Sequence, residues 1–344
     1  MYFIGVDHHK QASHMTVLDE EGRELKTGRV PNLRQKVELF LKKYHPFTAV
    51  LEAGRASYVM VDLLKELGGE VKIANPLQVK AIAHARIKTD ERDSRKLAHL
   101  LRTDLIPEVF QREETNREAQ RVVRARAHWV SKQTEIKNKV RSLLDQQKEE
   151  IRLAVGEREG GLFSGRGLEF LKQLPLTGLD KMILDDLLEG YQEAHTHIKK
   201  SDGWVEELYQ EMEEAARIDT IPGFGKTLAV LVAVEIADVE RFSSPAHLHA
   251  YAGVIPSTYA SGEKSYHGRI TKQGSRWLRW AVVEAVYPAI VKDLGLRALH
   301  SRLVRRKGAN TAKVAVARRL LTIIYRILTE KREYVPDMMR PSAA

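Results

Sequence analysis

Four carboxylates stand where the sequence predicts that strands end or a helix begins. Asp7 follows the apolar segment Tyr-Phe-Ile-Gly-Val, and Glu52 follows Thr-Ala-Val-Leu. Asp90 and Asp93 come after Thr89, a plausible N-cap, and their spacing places both on one helical face. Because Mg²⁺ takes oxygen ligands and paired ions can flank a phosphate, the four acids predict a metal site. Acids at such positions also close turns or complement a helix dipole, and that alternative stays open.

A serine in a basic setting is the second candidate. Ser261 lies in Tyr-Ala-Ser-Gly-Glu-Lys, and no general base stands beside it in the sequence. Ser-Gly is common in turns, so a purely structural turn serine is the alternative. The serine's surroundings contain basic residues that could serve a phosphate, some from the first turns of a helix beginning near Ser275: Lys264, Arg269, Lys272, Arg276 and Arg279.

The segment Ile-Pro-Gly-Phe-Gly-Lys-Thr, residues 221–227, separates two helical patterns. Gly223 and Gly225 would let backbone N–H groups approach a phosphate, and Lys226 adds charge. The segment resembles the hairpin of helix-hairpin-helix DNA-binding modules. A tight turn without a ligand is the alternative, because Gly-x-Gly alone is a weak signal.

Charge is distributed in blocks along the 344 residues. The net charge is +10, made of +6 for residues 1–150, −7 for residues 151–216 and +11 for residues 217–344. Basic blocks favour a polyanion such as nucleic acid, whereas the acidic middle is better suited to protein contact. Cysteine is absent, which excludes disulfides, zinc–thiolate sites and cysteine nucleophiles. Any metal must therefore be held by carboxylates, histidine or water.

The first block reads as a small α/β domain. Two strands, Met15–Asp19 and Glu24–Val30, follow the first strand, and Asn32 is predicted to cap a helix through Lys43. The strand ending in Glu52, a helix from Tyr58 to Leu67 and a strand from Glu70 to Ala74 complete the order β-β-β-α-β-α-β. A long basic helix over residues 111–148 follows, with a face that could lie along a nucleic-acid backbone.

The remaining chain is predicted to be mostly helical. Five glycines within residues 156–167 indicate a flexible domain boundary. An apolar stripe then runs from Leu179 to Ala215 at helical spacing, interrupted near Ser201-Asp202-Gly203, and indicates a helical pair that packs on a neighbour or on a second copy. We therefore expect an α/β plus α chain with three segments: residues 1–150, an acidic helical or coiled-coil linker over residues 151–216, and residues 217–335.

The acidic motifs resemble those of a known family. Gly-Val-Asp-His-His-Lys, Leu-Glu-Ala-Gly and Lys-Thr-Asp-Glu-Arg-Asp, in this order, are similar to the RuvC-like DEDD domain of the IS110 family of insertion-sequence transposases. The resemblance implies a ribonuclease-H-like fold in which Asp7, Glu52, Asp90 and Asp93 hold Mg²⁺. An actin-like ATPase branch of that fold is disfavoured, because no second glycine-rich phosphate loop is present.

A later stretch resembles the C-terminal transposase domain of the same family. It comprises residues 252–264 and 268–279, and Ser261 matches the family's nucleophilic serine. The resemblance implies that the serine attacks a DNA phosphodiester to form a phosphoserine intermediate, guided by a bridge RNA. It also implies donor and target DNA as partners, and we expect a homo-oligomer.

Two alternatives remain at this point. One is a Holliday-junction resolvase-like nuclease in which metal-activated water attacks and Ser261 plays no part. The other is a nucleic-acid scaffold whose carboxylates are only structural. No apolar run reaches membrane-spanning length and no signal peptide is evident, so we expect a soluble, cytoplasmic protein.

Overall fold

The computed structural model describes residues 1–83, 89–261 and 264–336, without the side chains of residues 159 and 258–267. The chain divides into two compact units, Met1–Arg112 and Glu113–Ala344. The first is a mixed α/β unit and the second is mostly helical, which confirms the predicted α/β plus α composition. The three-segment division at residues 150 and 216 stays a prediction.

In the described part of the first unit, five strands form one sheet. They are β1 (Tyr2–His8), β2 (Ala12–Leu18), β3 (Glu24–Pro31), β4 (Phe47–Glu52) and β5 (Glu70–Ala74). Their spatial order is β3-β2-β1-β4-β5. The first three strands pair antiparallel, whereas β4 runs parallel to both β1 and β5. The predicted antiparallel meander and the order of elements are confirmed.

Among residues 1–83 and 89–112, four helices accompany the sheet: α1 (Arg34–Leu41), α2 (Ser57–Glu66), α3 (Pro76–Ile82) and α4 (Asp90–Arg102). Apolar clusters cover both faces of the sheet. Ala49 and Leu51 of β4 lie in a cluster with residues of α1 and α2, while Val50 lies in another with residues of α3 and α4. A strand buried on both faces has no polar alternation, which explains the uninterrupted apolar run before Glu52.

The predicted cap of α1 was wrong. The N-cap residue is Leu33, which makes no side-chain capping bond. The side chain of Asn32 turns elsewhere: its Oδ1 accepts a hydrogen bond from Ser13 Oγ at 2.7 Å, and its Nδ2 donates to the His9 carbonyl at 2.7 Å. Asn32 therefore fixes the loop after β1 rather than the helix that follows it.

The second unit begins with helices of very different lengths. They are α5 (Glu114–Asp145), α6 (Glu149–Gly156), α7 (Gly165–Gln173) and α8 (Gly178–Glu211), with a 3-10 turn at Glu159–Gly161. In the segment predicted to be a flexible break, Gly156, Gly160 and Gly165 face open space whereas Gly167 is closely packed, and the flexibility of the segment stays a prediction. A Cβ on Gly167 would lie 2.2 Å from the Gly161 carbonyl oxygen, and the neighbouring Leu162 is buried.

The predicted interruption near residues 201–203 does not occur. The 34 residues of α8 form one continuous helix. Gly203 inside a helix costs only about 1 kcal/mol relative to alanine. Ile198, Ser201 and Val205 are all buried on this stretch, so packing continues across the glycine and outweighs that cost.

Helix α8 packs antiparallel on α5, a neighbour within the same chain. Arg126 Nε contacts Asp202 Oδ1 at 2.6 Å, and Gly190 faces Ile136 further along the pair. Residue numbers rise along α5 as they fall along α8, which defines the antiparallel direction. The expectation that the apolar stripe packs on a neighbour is confirmed.

The rest of the unit surrounds α10 (Lys226–Ile236), whose residues from Ala229 onward are buried. The other elements are α9 (Glu213–Asp219), α11 (Pro245–Tyr251), α12 (Arg276–Glu284), α13 (Val286–Lys292), α14 (Leu294–Lys307), α15 (Ala309–Thr329) and a hairpin of β6 (Pro256–Ser261) and β7 (Lys264–Ile270). The sequence did not predict the hairpin. Among the described residues, no helix is both long and apolar enough to cross a membrane.

A buried histidine predicts how stability depends on pH. Burial of His249, with Arg318 nearby, lowers the pKa of its imidazole from 6.5 to about 4, and its Nε2 lies 3.0 Å from Thr322 Oγ1. The unfolded chain binds this proton first, so stability is full above pH 6.5 and falls as pH drops towards 4. At pH 5 the loss is about 2 kcal/mol.

His249→Gln should therefore reduce the difference in free energy of unfolding between pH 7 and pH 5 by about 2 kcal/mol. Urea unfolding at both pH values measures it. The exposed His99, changed to Gln, is the control and should leave the wild-type difference in place. An unchanged pH dependence in His249→Gln would show that another group is responsible.

Candidate functional site

The ends of β1 and β4 bring two of the predicted carboxylates to one edge of the sheet. The parallel register pairs Val6 with Leu51, so Asp7 and Glu52 are the next residues on neighbouring strands. Residues in register on parallel strands point to the same face. Both side chains are half-buried. The carboxyl ends of adjacent parallel strands are where α/β sheets collect ligands.

The start of α4 supplies the other two predicted carboxylates, Asp90 and Asp93. Thr89 Oγ1 accepts a hydrogen bond from the Arg92 N–H at 3.3 Å, which confirms the predicted N-cap. Asp90 is exposed, whereas Asp93 is largely buried and its carboxylate pairs with Lys96 Nζ at 3.0 Å. A capped N-terminus thus carries both acids in its first turn, where the helix dipole favours negative charge.

Gly5 sets how closely α4 approaches β1. A Cβ on Gly5 would lie 1.9 Å from the Ser94 carbonyl oxygen and 2.5 Å from the Ala98 nitrogen. The helix backbone therefore rests directly on the strand. The Ser94 hydroxyl lies 2.8 Å from Thr16 Oγ1 of β2 and 3.0 Å from His14 Nδ1, which fixes the helix along its axis.

The loop after β1 is held by a chain of hydrogen bonds. His8 Nδ1 lies 2.9 Å from Ser13 Oγ, and the hydroxyl donates to Asn32, whose amide donates to the His9 carbonyl. Burial lowers the pKa of the His8 imidazole. The His8 ring is therefore held neutral in this hydrogen bond, where it fixes the position of the neighbouring residues of the loop.

The structure brings Asp7, Asp90 and a third residue, His9, into one group. His9 Nε2 lies 3.3 Å from Asp7 Oδ2 and 3.5 Å from Asp90 Oδ1, and one ligand atom from each residue lies within 4.8 Å of the others. Two carboxylates and an imidazole are a donor set that fits a divalent cation. In the described part of the chain, Glu52 and Asp93 fall outside this group.

The electrostatics at Asp7 favour a cation. Burial raises the pKa of Asp7; His9 lowers it, and the negative charges of Asp90 and Asp93 raise it further. The carboxylates therefore repel one another across a partly desolvated space. A bound divalent ion would relieve that repulsion.

In the second unit, Ser261 is the last residue of β6 and stands opposite Lys264 in the hairpin register. The side chains of both residues lie outside the described part of the structure, as do residues 262 and 263. The main chain therefore places Ser261 at the end of a strand.

The basic residues beyond the hairpin divide into two groups. Arg269, Lys272 and Arg276 are exposed, and Lys272 adopts a positive φ of 54° that turns the chain into α12. Arg279 is different: its Nη1 donates to the Ala252 carbonyl at 2.9 Å, and burial lowers the pKa of its guanidinium. Arg279 is tied to the fold by this bond, whereas the other three face solvent.

A buried carboxylate that sequence reasoning missed fixes the start of α12. Glu235 is 1% exposed; it accepts from Arg124 Nη2 at 2.8 Å and from Ser275 Oγ at 2.9 Å. The same Ser275 hydroxyl accepts from the Leu278 N–H as the N-cap of α12. Nothing in the sequence distinguishes Glu235 from a surface glutamate except its place within the apolar stretch of α10.

The segment over residues 221–227 connects α9 to the start of α10, so it separates two helices as the sequence indicated, and its likeness to a helix-hairpin-helix module stays a prediction. Gly223 has a φ of +97°, and a Cβ there would lie 2.4 Å from the Ala285 carbonyl oxygen, so packing alone requires this glycine. Gly225 faces open space. Lys226 Nζ is paired with Glu206 Oε1 at 2.5 Å and lies 4.9 Å from the Tyr209 ring. Phosphate binding by this turn stays a prediction.

The basic residues of α5 are largely engaged within the chain. The ion pairs are Arg121–Glu118, Arg124–Glu235, Arg126–Asp202, Lys132–Glu135 and Lys139–Glu135. Lys137 and Arg141 lie over the Phe163 ring. Three of these ion pairs are solvent-exposed, and contact of this face with a nucleic-acid backbone stays a prediction.

Comparison with known proteins assigns both units. A family model for transposases of the DEDD type in the IS110 family matches residues 4–148, and the model for transposases of the IS116/IS110/IS902 family matches residues 215–301. The chain belongs to the IS110 transposase family. The Asp7–His9–Asp90 group lies within the first match and Ser261 lies within the second.

Relatives of this IS110-family chain include transposases of named insertion sequences. The transposase for insertion sequence element IS1111A of Coxiella burnetii is 25% identical, with 96% of this chain and 90% of the relative covered. The transposase for IS1328 of Yersinia enterocolitica is 24% identical, with 82% and 81% covered. A pilin gene-inverting protein of Moraxella bovis is 26% identical, with 77% and 74% covered.

Proposed function

We propose that this transposase-family chain cuts and rejoins DNA with a metal-binding carboxylate site and a serine nucleophile. The observation that supports the proposal is that Asp7, His9 and Asp90 lie close together. Asp7 belongs to strand β1, His9 to the loop after it and Asp90 to helix α4, and all three lie within the matched DEDD segment. The strand order β3-β2-β1-β4-β5, in which β2 alone runs opposite to the other four strands, supports a ribonuclease-H-like, RuvC-like fold for this unit.

The residues of the first unit would hold a divalent cation such as Mg²⁺. Such an ion supplies charge stabilisation at phosphorus and lowers the cost of deprotonating a hydroxyl. Asp7 and Asp90 provide oxygen ligands, and Glu52, next in register to Asp7 on the neighbouring strand, is proposed to complete the site with Asp93. Gly5 lets α4 lie close to β1, and the Thr89 cap fixes the start of the helix, so that Asp90 and Asp93 are near enough to contribute to the proposed metal site.

Ser261 is proposed to act as the nucleophile. Its Oγ would form a bond to the phosphorus of a DNA phosphodiester while one P–O bond to a sugar oxygen breaks, and the departing oxygen gains a proton. Attack on the phosphoserine by a strand hydroxyl then forms a new phosphodiester and returns the serine proton. One phosphoester replaces another in each step, so no external energy source is needed.

The partners proposed for this chain are donor DNA, target DNA and a bridge RNA, bound by a homo-oligomer. Exposed basic residues in the second unit support a polyanionic partner. Seven exposed basic residues of this unit form no ion pair with a carboxylate among the described residues: Arg269, Lys272, Arg276, Arg302, Arg305, Arg306 and Lys307. Cations left unpaired within the chain are available to phosphates.

Ser261→Ala tests the nucleophile directly. The wild-type protein, incubated with substrate DNA and denatured, should yield a covalent protein–DNA adduct, and the variant should yield none because it lacks the attacking oxygen. Denaturing gel electrophoresis of labelled DNA measures the adduct. Ser257→Ala on the same strand, which removes a 3.0 Å hydrogen bond to the Arg269 carbonyl, is the matched control and should keep forming it.

An adduct formed by Ser261→Ala would assign attack to another residue. Cleavage by the wild-type protein without any adduct would favour hydrolysis by metal-activated water, as in a resolvase-like nuclease. Binding without cleavage would favour a scaffold.

The exposed basic residues predict a steep salt dependence of nucleic-acid binding. With six to ten neutralised phosphates, affinity should fall by roughly 10³- to 10⁵-fold between about 50 and 200 mM salt. Replacing Arg302, Arg305 and Arg306 together by alanine should reduce the slope of log affinity against log salt by about 0.9 for each duplex phosphate that the variant no longer neutralises. Fluorescence anisotropy measures both quantities.

Arg23→Ala is the control for that experiment, because Arg23 already pairs with Asp19 and Glu21. It should leave the salt slope unchanged. Equal slopes for the triple variant and the wild type would show that this basic corner does not bind phosphate.

A further inference from the structure

His9 approaches both carboxylates of the Asp7–Asp90 pair from the loop after β1. Its Nε2 lies 3.3 Å from one carboxylate oxygen and 3.5 Å from the other. Octahedral coordination at about 2.1 Å separates neighbouring ligand atoms by roughly 3 Å. Both separations from His9 slightly exceed that distance, and the ligand atoms of Asp7 and Asp90 lie within 4.8 Å of each other. The three side chains are therefore close enough to share one divalent ion.

The backbone of His9 is held independently of the carboxylates. Asn32 Nδ2 donates to the His9 carbonyl at 2.7 Å, and Asn32 is itself fixed by Ser13 Oγ at 2.7 Å. The imidazole is therefore presented by the fold and is not drawn in by charge alone. A ligand whose backbone is already in place loses less entropy when it binds a metal.

The two adjacent histidines have different surroundings. The half-buried His8 contacts Ser13 through Nδ1 and so holds the loop in place. The side chain of His9 is 57% exposed and contacts carboxylates. A ring that open to solvent gains little from apolar packing, and its defined neighbours are the two prospective metal ligands.

Building on the proposed metal-dependent function, we propose that His9 is a direct nitrogen ligand of the cation and gives this site a preference for Mn²⁺ over Mg²⁺. Mg²⁺ takes oxygen ligands in near-ideal octahedra and retains water readily. Imidazole nitrogen binds transition metals more strongly than it binds Mg²⁺. The sequence named four carboxylates as the metal ligands, and a site of those four alone would not distinguish the two ions in this way.

The test uses Mn²⁺ bound to the full-length protein without nucleic acid. Electron spin echo spectroscopy should show nitrogen coupled directly to Mn²⁺ in the wild type and no such coupling in His9→Ala. Isothermal titration calorimetry should show at least about a tenfold weaker Mn²⁺ affinity in His9→Ala. Mg²⁺ affinity should change much less, so the ratio of the two affinities should fall.

His99→Ala is the matched control, because His99 is an exposed histidine on α4, about 13 Å along the helix from Asp90. It should keep the nitrogen signal and both affinities. His9→Gln, which retains size and polarity, guards against a general loosening of the loop and should also lose the nitrogen signal.

Persistence of the nitrogen signal in both His9 variants overturns the inference. So does an equal loss of Mn²⁺ and Mg²⁺ affinity, which would make His9 a residue that positions the carboxylates. A rise in both affinities would show that His9 occupies the place of the cation instead of binding it. Asp7→Asn tests the underlying site separately: if it retains full Mn²⁺ binding, the carboxylate site itself is wrong.

Discussion

Asp7→Asn is expected to reduce DNA strand transfer by at least about 10³-fold while leaving the protein folded. The amide retains the shape of the carboxylate but not its charge, so the proposed cation would lose one ligand of the Asp7–His9–Asp90 group. Strand transfer between labelled donor and target DNA measures the loss. Because its surroundings raise the pKa of Asp7, a neutral amide should also leave the free energy of unfolding unchanged or increased.

Asp104→Asn is the control for that variant. Asp104 has a side chain that is 91% exposed and interacts with Lys72 at 3.5 Å. It should keep wild-type activity. Full activity in Asp7→Asn, in a protein shown to be folded by circular dichroism, would remove the proposed metal site from the reaction.

Gly5→Ala is expected to lower the free energy of unfolding by at least about 3 kcal/mol. The new Cβ would overlap the backbone of α4 at Ser94 and Ala98, and a helix backbone cannot rotate away as a side chain can. Any relief requires α4 to move off β1, which carries Asp90 away from Asp7. Mn²⁺ affinity should therefore fall together with stability in urea unfolding.

Gly28→Ala provides the comparison within the same sheet. A Cβ on Gly28 would meet Phe40 at 3.6 Å, an ordinary contact. It should change the free energy of unfolding by less than about 1 kcal/mol and leave metal affinity as it is. A small effect of Gly5→Ala would mean that α4 can shift without cost and does not set the site.

The sequence predicted the elements that have a clear local signal. The apolar runs before Asp7 and Glu52 gave strands, and Thr89 gave a helix start, because period, burial and capping are properties of a few neighbouring residues. Where a local sequence preference conflicted with tertiary packing, packing determined the secondary structure. Gly203 failed to interrupt α8 because buried residues lie on both sides of it.

Contacts between residues that are far apart in the chain could not be predicted from the sequence. Asn32 is a residue type that commonly caps helices, but its side chain forms hydrogen bonds with His9 in the loop after β1 and with Ser13 in β2. His9 stands beside Asp90 only because the sheet and Gly5 bring α4 onto β1. Glu235 is buried with Arg124, 111 positions away, and no periodicity encodes that pair.

The uninterrupted course of α8 constrains how the length of this region can change in evolution. With 34 residues, the helix extends about 51 Å, and each inserted residue rotates everything beyond it by roughly 100°. A single insertion just before Val205 would therefore turn this residue out of the apolar cluster that it shares with Ala119 and Val123 of α5, and would shift the helical phase of all that follows. Insertions and deletions should consequently accumulate in the turn at residues 157–164 and be rare within α8.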